Sequence, residues 1–252
     1  LRVSKACAQT SEKRREGILT FLYAMTDARV PNSIGMILDG NRRWAREHGL
    51  PQLEGHRRGM EKVKEVLSWA REAGVREFIV YAFSTENWNR SPEEVDYLMN
   101  LFAEFCESWS EEVKKQNYKL VFIGERERVS PVLREKMKQA EEKTKDGSEG
   151  TLAVALSYGG RAEILAAVNA LLASKVDAVD EDSFRKSMWS AGLLDPDLII
   201  RTGGEQRLSN FLTWQSTYSE LFFTDTKLPA FLILYFLSIL SEFAERERRH
   251  GR

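Results

Sequence analysis

Runs of consecutive apolar residues, rich in β-branched and aromatic side chains and closed by glycine or polar turns, fall at residues 33–38, 78–83, 119–123, 152–156 and 197–200. A shorter run, Leu221-Phe222-Phe223, is also strand-like. These runs are mostly apolar rather than alternating, the pattern of strands in a parallel sheet covered on both faces. Between them the period lengthens to that of a helix. In residues 58–73, Met60, Val63, Val66, Leu67 and Ala70 recur at helical spacing, and Gly74 follows as a natural helix stop. Ser91-Pro92-Glu93-Glu94 reads as a capping box with proline at the first helical position and opens a helix to about residue 115. Ser130-Pro131 opens another in the same way, and helical segments follow at 161–173 and 231–248. Strands and helices alternate without repeats, and no linker is longer than residues 146–150. The pattern predicts an α/β fold: a single domain with a central, mostly parallel sheet flanked by helices. It is Rossmann-like, but neither a G-x-G-x-x-G nor a Walker lysine motif is present, so no dinucleotide site is expected. Residues 33–252 form this body, and residues 1–32 read as an N-terminal extension, helical where 17–25 is apolar.

Composition narrows the classes. Of 252 residues, 42% are apolar and 10% aromatic, enough for a packed core and against wholesale disorder. The 37 Lys and Arg balance 38 Asp and Glu, leaving a net charge of −1 and no global field for a nucleic-acid backbone, so no nucleic-acid partner is expected and any anion site must be local. Cys7 and Cys106 form neither a disulfide framework nor a zinc pattern, which fits a reducing, cytoplasmic compartment. The apolar stretch 228–240 is shorter than the ~20 residues a bilayer span needs.

Four polar loops follow four of the strand-like runs: Asp39-Gly40-Asn41-Arg42-Arg43-Trp44, Ser84-Thr85-Glu86-Asn87-Trp88-Asn89-Arg90, Tyr158-Gly159-Gly160-Arg161 and Arg201-Thr202-Gly203-Gly204-Glu205-Gln206-Arg207. In open α/β sheets ligands bind outside the carboxyl ends of the strands, so these loops converge on one crevice. Their contents suit phosphate. Glycines admit close backbone approach, helix N-termini supply free N–H groups, and Arg42, Arg43, Arg90, Arg161, Arg201 and Arg207 offer forked contacts. Asp39 is placed either to hold Mg²⁺ against phosphate oxygens or to cap a helix. His56, within Gly55-His56-Arg57-Arg58-Gly59, is positioned either to donate to phosphate or to sit on a surface. Trp44 and Trp88 suit an apolar mouth or ordinary packing, and Leu208-Ser209-Asn210-Phe211 extends the last loop.

From about residue 33 to the C-terminus these motifs, together with Phe83 before the second loop and Glu220-Leu221, resemble the cis-prenyltransferase family, the undecaprenyl and dehydrodolichyl diphosphate synthases. The resemblance implies condensation of isopentenyl diphosphate with an allylic diphosphate such as farnesyl diphosphate, each new double bond being cis, to a long-chain cis-polyprenyl diphosphate. It further implies that Asp39 positions Mg²⁺ on the allylic diphosphate and Glu220 completes the metal site. Gly40, Asn41, Arg42 and Arg43 would cradle that diphosphate, supported by Trp44, His56 and Arg90, with Ser84, Thr85, Glu86 and Trp88 also in the substrate site. Arg201, Arg207, Leu208 and Ser209 would hold isopentenyl diphosphate, and Asn87 would be the proton acceptor, although a neutral amide is a poor base and is equally suited to orienting substrate. Met99, Leu101, Phe102, Phe105 and strand 152–156 are candidates to line a tunnel for the growing chain. The ending Arg249-His250-Gly251 resembles one that reaches a neighbour's site in this family, implying a homodimer; a lipid product implies peripheral contact with the membrane. Three departures stand out: Gln52 replaces an arginine common in bacterial members, Ser157 an asparagine, and residues 228–235 lack the usual acidic residues.

Two other readings predict different residues. A non-catalytic scaffold subunit of a heteromeric cis-prenyltransferase should lack the Asp39 loop or the Arg201 loop, and a sugar-nucleotide enzyme should carry a nucleotide fingerprint. The D-D-x-x-D motif of trans-prenyltransferases is absent, Asp180-Glu181-Asp182 being only a short acidic run.

Overall fold

The computed structural model describes residues 29–246. The strands are β1 (Ser33–Ile37), β2 (Glu77–Ser84), β3 (Tyr118–Ile123), β4 (Gly150–Tyr158), β5 (Leu198–Arg201) and β6 (Glu220–Phe223). They form one sheet in the order β3-β4-β2-β1-β5-β6, with every pairing parallel. The helices are α1 (Asn41–Glu47), α2 (Gln52–Glu72), α3 (Pro92–Lys115), α4 (Pro131–Thr144), α5 (Gly160–Ala173), α6 (Glu181–Lys186) and α7 (Ile233–Glu245). One face of the sheet buries Ile34, Met36, Phe78, Val80 and Leu152 against α2, α3, α4 and α7 in the larger core. The other face buries Ile79, Tyr81, Ala153, Tyr158 and Ile199 under Phe211 and Leu212 of the loop after β5. Burial on both faces explains why the strands read as apolar runs.

The helix stops and starts are chemical. At the end of α2, Gly74 is left-handed (φ +90°), its N–H reaching Arg71 O while Val75 N–H reaches Ala70 O, the paired bonds of a Schellman motif. Ser91 and Ser130 accept from the N–H groups of Glu94 and Leu133 at the starts of α3 and α4, each followed by proline. Helix α2 begins six residues before the apolar period does, because its first turns carry a single apolar side chain, Leu53, and two glycines that seat it on α1. A Cβ at Gly59 would lie 2.3 Å from Asn41 Oδ1, and one at Gly55 2.2 Å from Asn41 O. Helix α1 is signalled in the sequence only by the capping alternative at Asp39, and α6 by no period: both are short and bury Ala45 and Phe184 respectively, too few apolar positions to show one. Asp180 caps α6 by accepting from Ser183 N–H at 2.8 Å. The expected extension helix at 17–25 and the ending Arg249-His250-Gly251 lie outside the described residues.

A parallel sheet gathers all its carboxyl ends on one edge. The four strands that carry the polar loops, β4, β2, β1 and β5, are adjacent in the sheet. The chain moves from β1 to β2 on one side and later adds β5 on the other, so the loops after β1 and β5 diverge over a crevice.

Candidate active site

The crevice is a cavity of about 500 Å³ at those carboxyl ends. Asp39, Asn41, His56, Ser84, Glu86, Asn87, Arg90, Arg201 and Ser209, all singled out in the sequence, line it, and Met60, Leu98 and Phe102 give it an apolar floor.

On one side, Thr202 Oγ locks the ends of β1 and β5 together, donating to Asp39 O (2.8 Å) and accepting from Asp39 N–H (3.1 Å). Gly40, not Asp39, occupies the cap position of α1, in the left-handed conformation. The Asp39 carboxylate is free to meet two guanidinium groups, Arg43 at 3.2 Å and Arg201 at 3.1 Å, while Oδ1 accepts from Gly40 N–H at 2.6 Å. Arg201 is almost wholly buried; it donates to Ser209 Oγ (2.7 Å) and Arg207 O (2.5 Å), and its Nε has no protein partner. Gly203 is required on two counts: its φ is +87°, and a Cβ there would lie 2.8 Å from Arg43 Nη2 and 3.0 Å from the Asp39 carbonyl carbon. Ser209, Asn210 and Leu212 also have positive φ, so the loop holds non-glycine residues in a costly conformation. It is pinned from behind by the fully buried Glu163, which accepts from Tyr158 OH (2.5 Å), Gln215 Nε2 (2.9 Å) and Ser190 N–H (2.8 Å).

On the other side, Glu94 was expected to complete a capping box. It does not: its backbone N–H serves Ser91, while its carboxylate turns back to Arg90 (2.9 Å), His56 Nε2 (3.2 Å) and Arg42 (3.4 Å). Burial, aided by the charge of Arg90, pushes His56 down to about 4, against its hydrogen bond to Glu94. A neutral imidazole donates to Glu94 only as the Nε2–H tautomer, so its donor is committed there and not to a phosphate. Asn87 Oδ1 accepts from Ser84 N–H at 3.1 Å, which leaves the amide NH₂, a donor, as its free group.

Other predicted residues flank the cavity rather than line it. Trp44 stacks on His48, and Trp88 packs edge-on against Phe83 while donating to Ser157 Oγ (3.0 Å), so neither forms the mouth. Ser157 sits at φ +52°, a conformation asparagine tolerates better. The Thr85 hydroxyl lies against Gly159, and Leu208 packs under the sheet. Arg207 is exposed and paired with Glu205. Arg161 is also exposed, its N–H held by Asn210 Oδ1. Gln52 is exposed at the start of α2, and Arg42 is half-exposed and paired with Glu94. Of the tunnel candidates only Phe102 lines the cavity; Leu101 and residues 152–156 are core, and Met99 and Phe105 pack beside it. Burial raises the Cys106 thiol to about 12, which makes it inert.

Glu220 does not join Asp39 within one chain. Because β6 runs parallel to β5, Glu220 pairs with Leu198 at the amino ends of the strands, opposite the edge that holds Asp39 and Arg201, and its carboxylate binds Arg246 at 2.8 Å. Among the described residues no three His, Cys, Asp or Glu gather as a metal cage. A single carboxylate still suits Mg²⁺, which is held by one or two carboxylates plus substrate phosphates. Asp39 lines the cavity beside arginines able to take the phosphates, so the residues present fit that ion.

Neither Glu94 nor Glu163 was assigned to the site from the sequence. The one available signal for Glu94 was its spacing of four from Arg90; a first-turn Glu163 has none.

A family model described as "Putative undecaprenyl diphosphate synthase" matches residues 37–251. An isoprenyl transferase from Thermotoga maritima is 41% identical over 227 residues, 88% of this chain and 97% of that protein. A tritrans,polycis-undecaprenyl-diphosphate synthase (geranylgeranyl-diphosphate specific) from Thermoplasma volcanium is 46% identical over 230 residues, 88% of this chain and 89% of that one. Among solved structures, the lavandulyl diphosphate synthase of Lavandula x intermedia in complex with dimethylallyl diphosphate superposes with a TM-score of 0.85 at 32% identity, covering 88% of this chain and 99% of that one. Motifs, fold and relatives agree, and the chain belongs to the undecaprenyl diphosphate synthase family of prenyltransferases.

Proposed function

We propose that the protein condenses isopentenyl diphosphate with an allylic diphosphate to give a long-chain cis-polyprenyl diphosphate. The observation that carries this reading is one cavity with an arginine on each wall and an apolar floor: Asp39 and Arg201 line the β1/β5 side with Arg43 paired to Asp39 beside it, neutral His56 and Arg90 line the α2/α3 side with Arg42 paired to Glu94 beside it, and Met60, Leu98 and Phe102 lie beneath. Two diphosphates and a hydrocarbon tail are the ligands that combination suits.

Asp39 would hold Mg²⁺ against the diphosphate oxygens, and the ion would supply charge neutralisation for the leaving group. Arg43, Arg90 and the N–H groups opening α1 bind and orient the allylic diphosphate. Ser209 and the terminal nitrogens of Arg201, with Arg207 released from Glu205, would hold the second diphosphate. As the allylic C–O bond breaks, the electron pair leaves with diphosphate, and the double bond of isopentenyl diphosphate attacks the allylic carbon. Loss of a C2 proton from the isopentenyl unit restores a double bond. Asn87, with its oxygen engaged by Ser84, orients a diphosphate oxygen through its NH₂, and that oxygen takes the proton. A homodimer and peripheral work at a membrane remain part of this reading; among the described residues no helix is long and apolar enough to cross a bilayer.

The test is incubation of the purified chain alone with labelled isopentenyl diphosphate, Mg²⁺ and either farnesyl or geranylgeranyl diphosphate, the second primer being the one named for the Thermoplasma volcanium relative. Long cis products are expected. The alternative, a non-catalytic scaffold subunit, predicts no product from the chain by itself, yet the Asp39 and Arg201 loops, one or other of which such a subunit should lack, are both intact here.

A further inference from the structure

We infer that Glu94 is a positioning residue for the allylic half of the site, an internal anion that holds Arg42, His56 and Arg90 in place before substrate arrives; this rests on the function proposed above. Its carboxylate joins four separate pieces of chain: Arg42 on α1, His56 on α2, Arg90 in the loop after β2, and α3, on which Glu94 itself sits. The group is 13% exposed and is absent from the cavity lining, whereas His56 and Arg90 are both in it. It therefore stands behind His56 and Arg90 rather than among the ligand contacts. That placement matters because the charges it gathers repel one another. Arg42 and Arg90 each act on the buried His56, and Arg42 acts on Arg90, in the sense that opposes positive charge; Glu94 is the acidic group that offsets this on both His56 and Arg90. Without it, Arg42, half-exposed already, is free to swing to solvent, and Arg90 loses its near ion-pair partner. The side chain is not needed for the helix start, since the cap bond to Ser91 uses the Glu94 backbone N–H. The other acidic residue on the first turn of α3, Glu93, is exposed and takes its hydrogen bonds from Ser91 and its own backbone N–H.

The experiment uses the whole enzyme and the isosteric variant Glu94→Gln, with Glu93→Gln as its neighbour control, measuring KM for both substrates, kcat and Tm. Glu94→Gln should raise KM for the allylic diphosphate about tenfold, with KM for isopentenyl diphosphate within about twofold and Tm unchanged, as expected for lost charge-assisted contacts on one side only. Glu93→Gln should change neither. Because Glu94 is argued to act partly through Arg42, combining Glu94→Gln with Arg42→Met should raise the allylic KM by less than the product of the two single effects. Arg42→Met is a surface change and measures the same connection should Glu94→Gln lose its fold. Equal effects on both substrates, an unchanged allylic KM, or fully multiplicative effects would overturn the assignment. Failure of the wild-type enzyme to turn over either primer would instead overturn the functional reading beneath it.

Discussion

The two walls of the cleft are built on the same plan and differ in what they leave free. On the β1/β5 wall one carboxylate, Asp39, bridges Arg43 and Arg201; it is 30% exposed and lines the cavity. On the α2/α3 wall one carboxylate, Glu94, gathers Arg42, His56 and Arg90, but is more deeply set and does not line the cavity. The first carboxylate can meet a ligand or an ion directly, and the second can act only through its partners. A carboxylate amid arginines is thus chemistry or scaffolding according to which of its oxygens reaches the open space.

The comparison breaks most readily at Asp39. Asp39→Asn keeps the size and an acceptor for Arg201 but removes the negative charge, and turnover should fall about a thousandfold or more, the scale of losing one preorganised electrostatic group. Circular dichroism should show the fold retained. If the variant kept more than a tenth of wild-type turnover, Asp39 and Glu94 would play equivalent, supporting parts.

Within the first wall, Arg201 and Arg207 should separate. Arg201 uses both terminal nitrogens, on Asp39, Arg207 O and Ser209 Oγ, from a buried position. Lysine offers a single ammonium and cannot reproduce the fork, so Arg201→Lys should lower stability by about 3 kcal/mol along with activity. Arg207 is 61% exposed, so Arg207→Ala should raise KM for isopentenyl diphosphate with Tm unchanged. Denaturant titration and steady-state kinetics on the two variants decide this; a stable Arg201→Lys enzyme would mean that the loop is held by Glu163 and the backbone instead.

The second wall carries a pH signature. His56 is held neutral, its value lowered from 6.5 to about 4, chiefly by burial. Between those values the unfolded chain binds the proton that the folded one refuses, so stability rises with pH across this window and is lost as pH falls through it. From pH 7 to pH 5 the loss attributable to His56 is about 2 kcal/mol. Urea unfolding of wild type and His56→Gln at the two pH values should show the variant losing less by that amount. Equal losses would mean that His56 is already charged, and its bond to Glu94 a full ion pair.

Much of this was legible in the sequence because the strands are apolar on both faces and the loops are not. The five long runs and Leu221-Phe222-Phe223 all became strands, and nine residues singled out for the site line one cavity. What stayed hidden was direction. Glu94 has the spacing of a capping residue, and only the fold shows its carboxylate turning toward Arg90 rather than toward the Ser91 amide. Trp44 and Trp88 occur beside the right loops, yet a side chain's neighbours in sequence do not say which wall it faces. Helices α1 and α6 bury too few apolar residues for a period to register.

The smallest effect is expected at Glu220, where motif and geometry part. The motif joins it to the metal site of Asp39, but the parallel register of β5 and β6 sets it at the amino ends of the strands, in an ion pair with Arg246, whose guanidinium also lies 4.0 Å from the centre of the Phe222 ring. Both partners are partly exposed, at 25% and 35%. If each chain works by itself, Glu220→Ala should cost about 1 kcal/mol of stability at most, as for a partly solvated ion pair, and leave the Mg²⁺ concentration for half-maximal rate unchanged. A raised Mg²⁺ requirement at unchanged stability would mean that Glu220 reaches a metal across an interface, because no motion within one parallel pair of strands brings the amino end of β6 to the carboxyl end of β1. The measurement therefore separates an active site complete in one chain from one assembled by two.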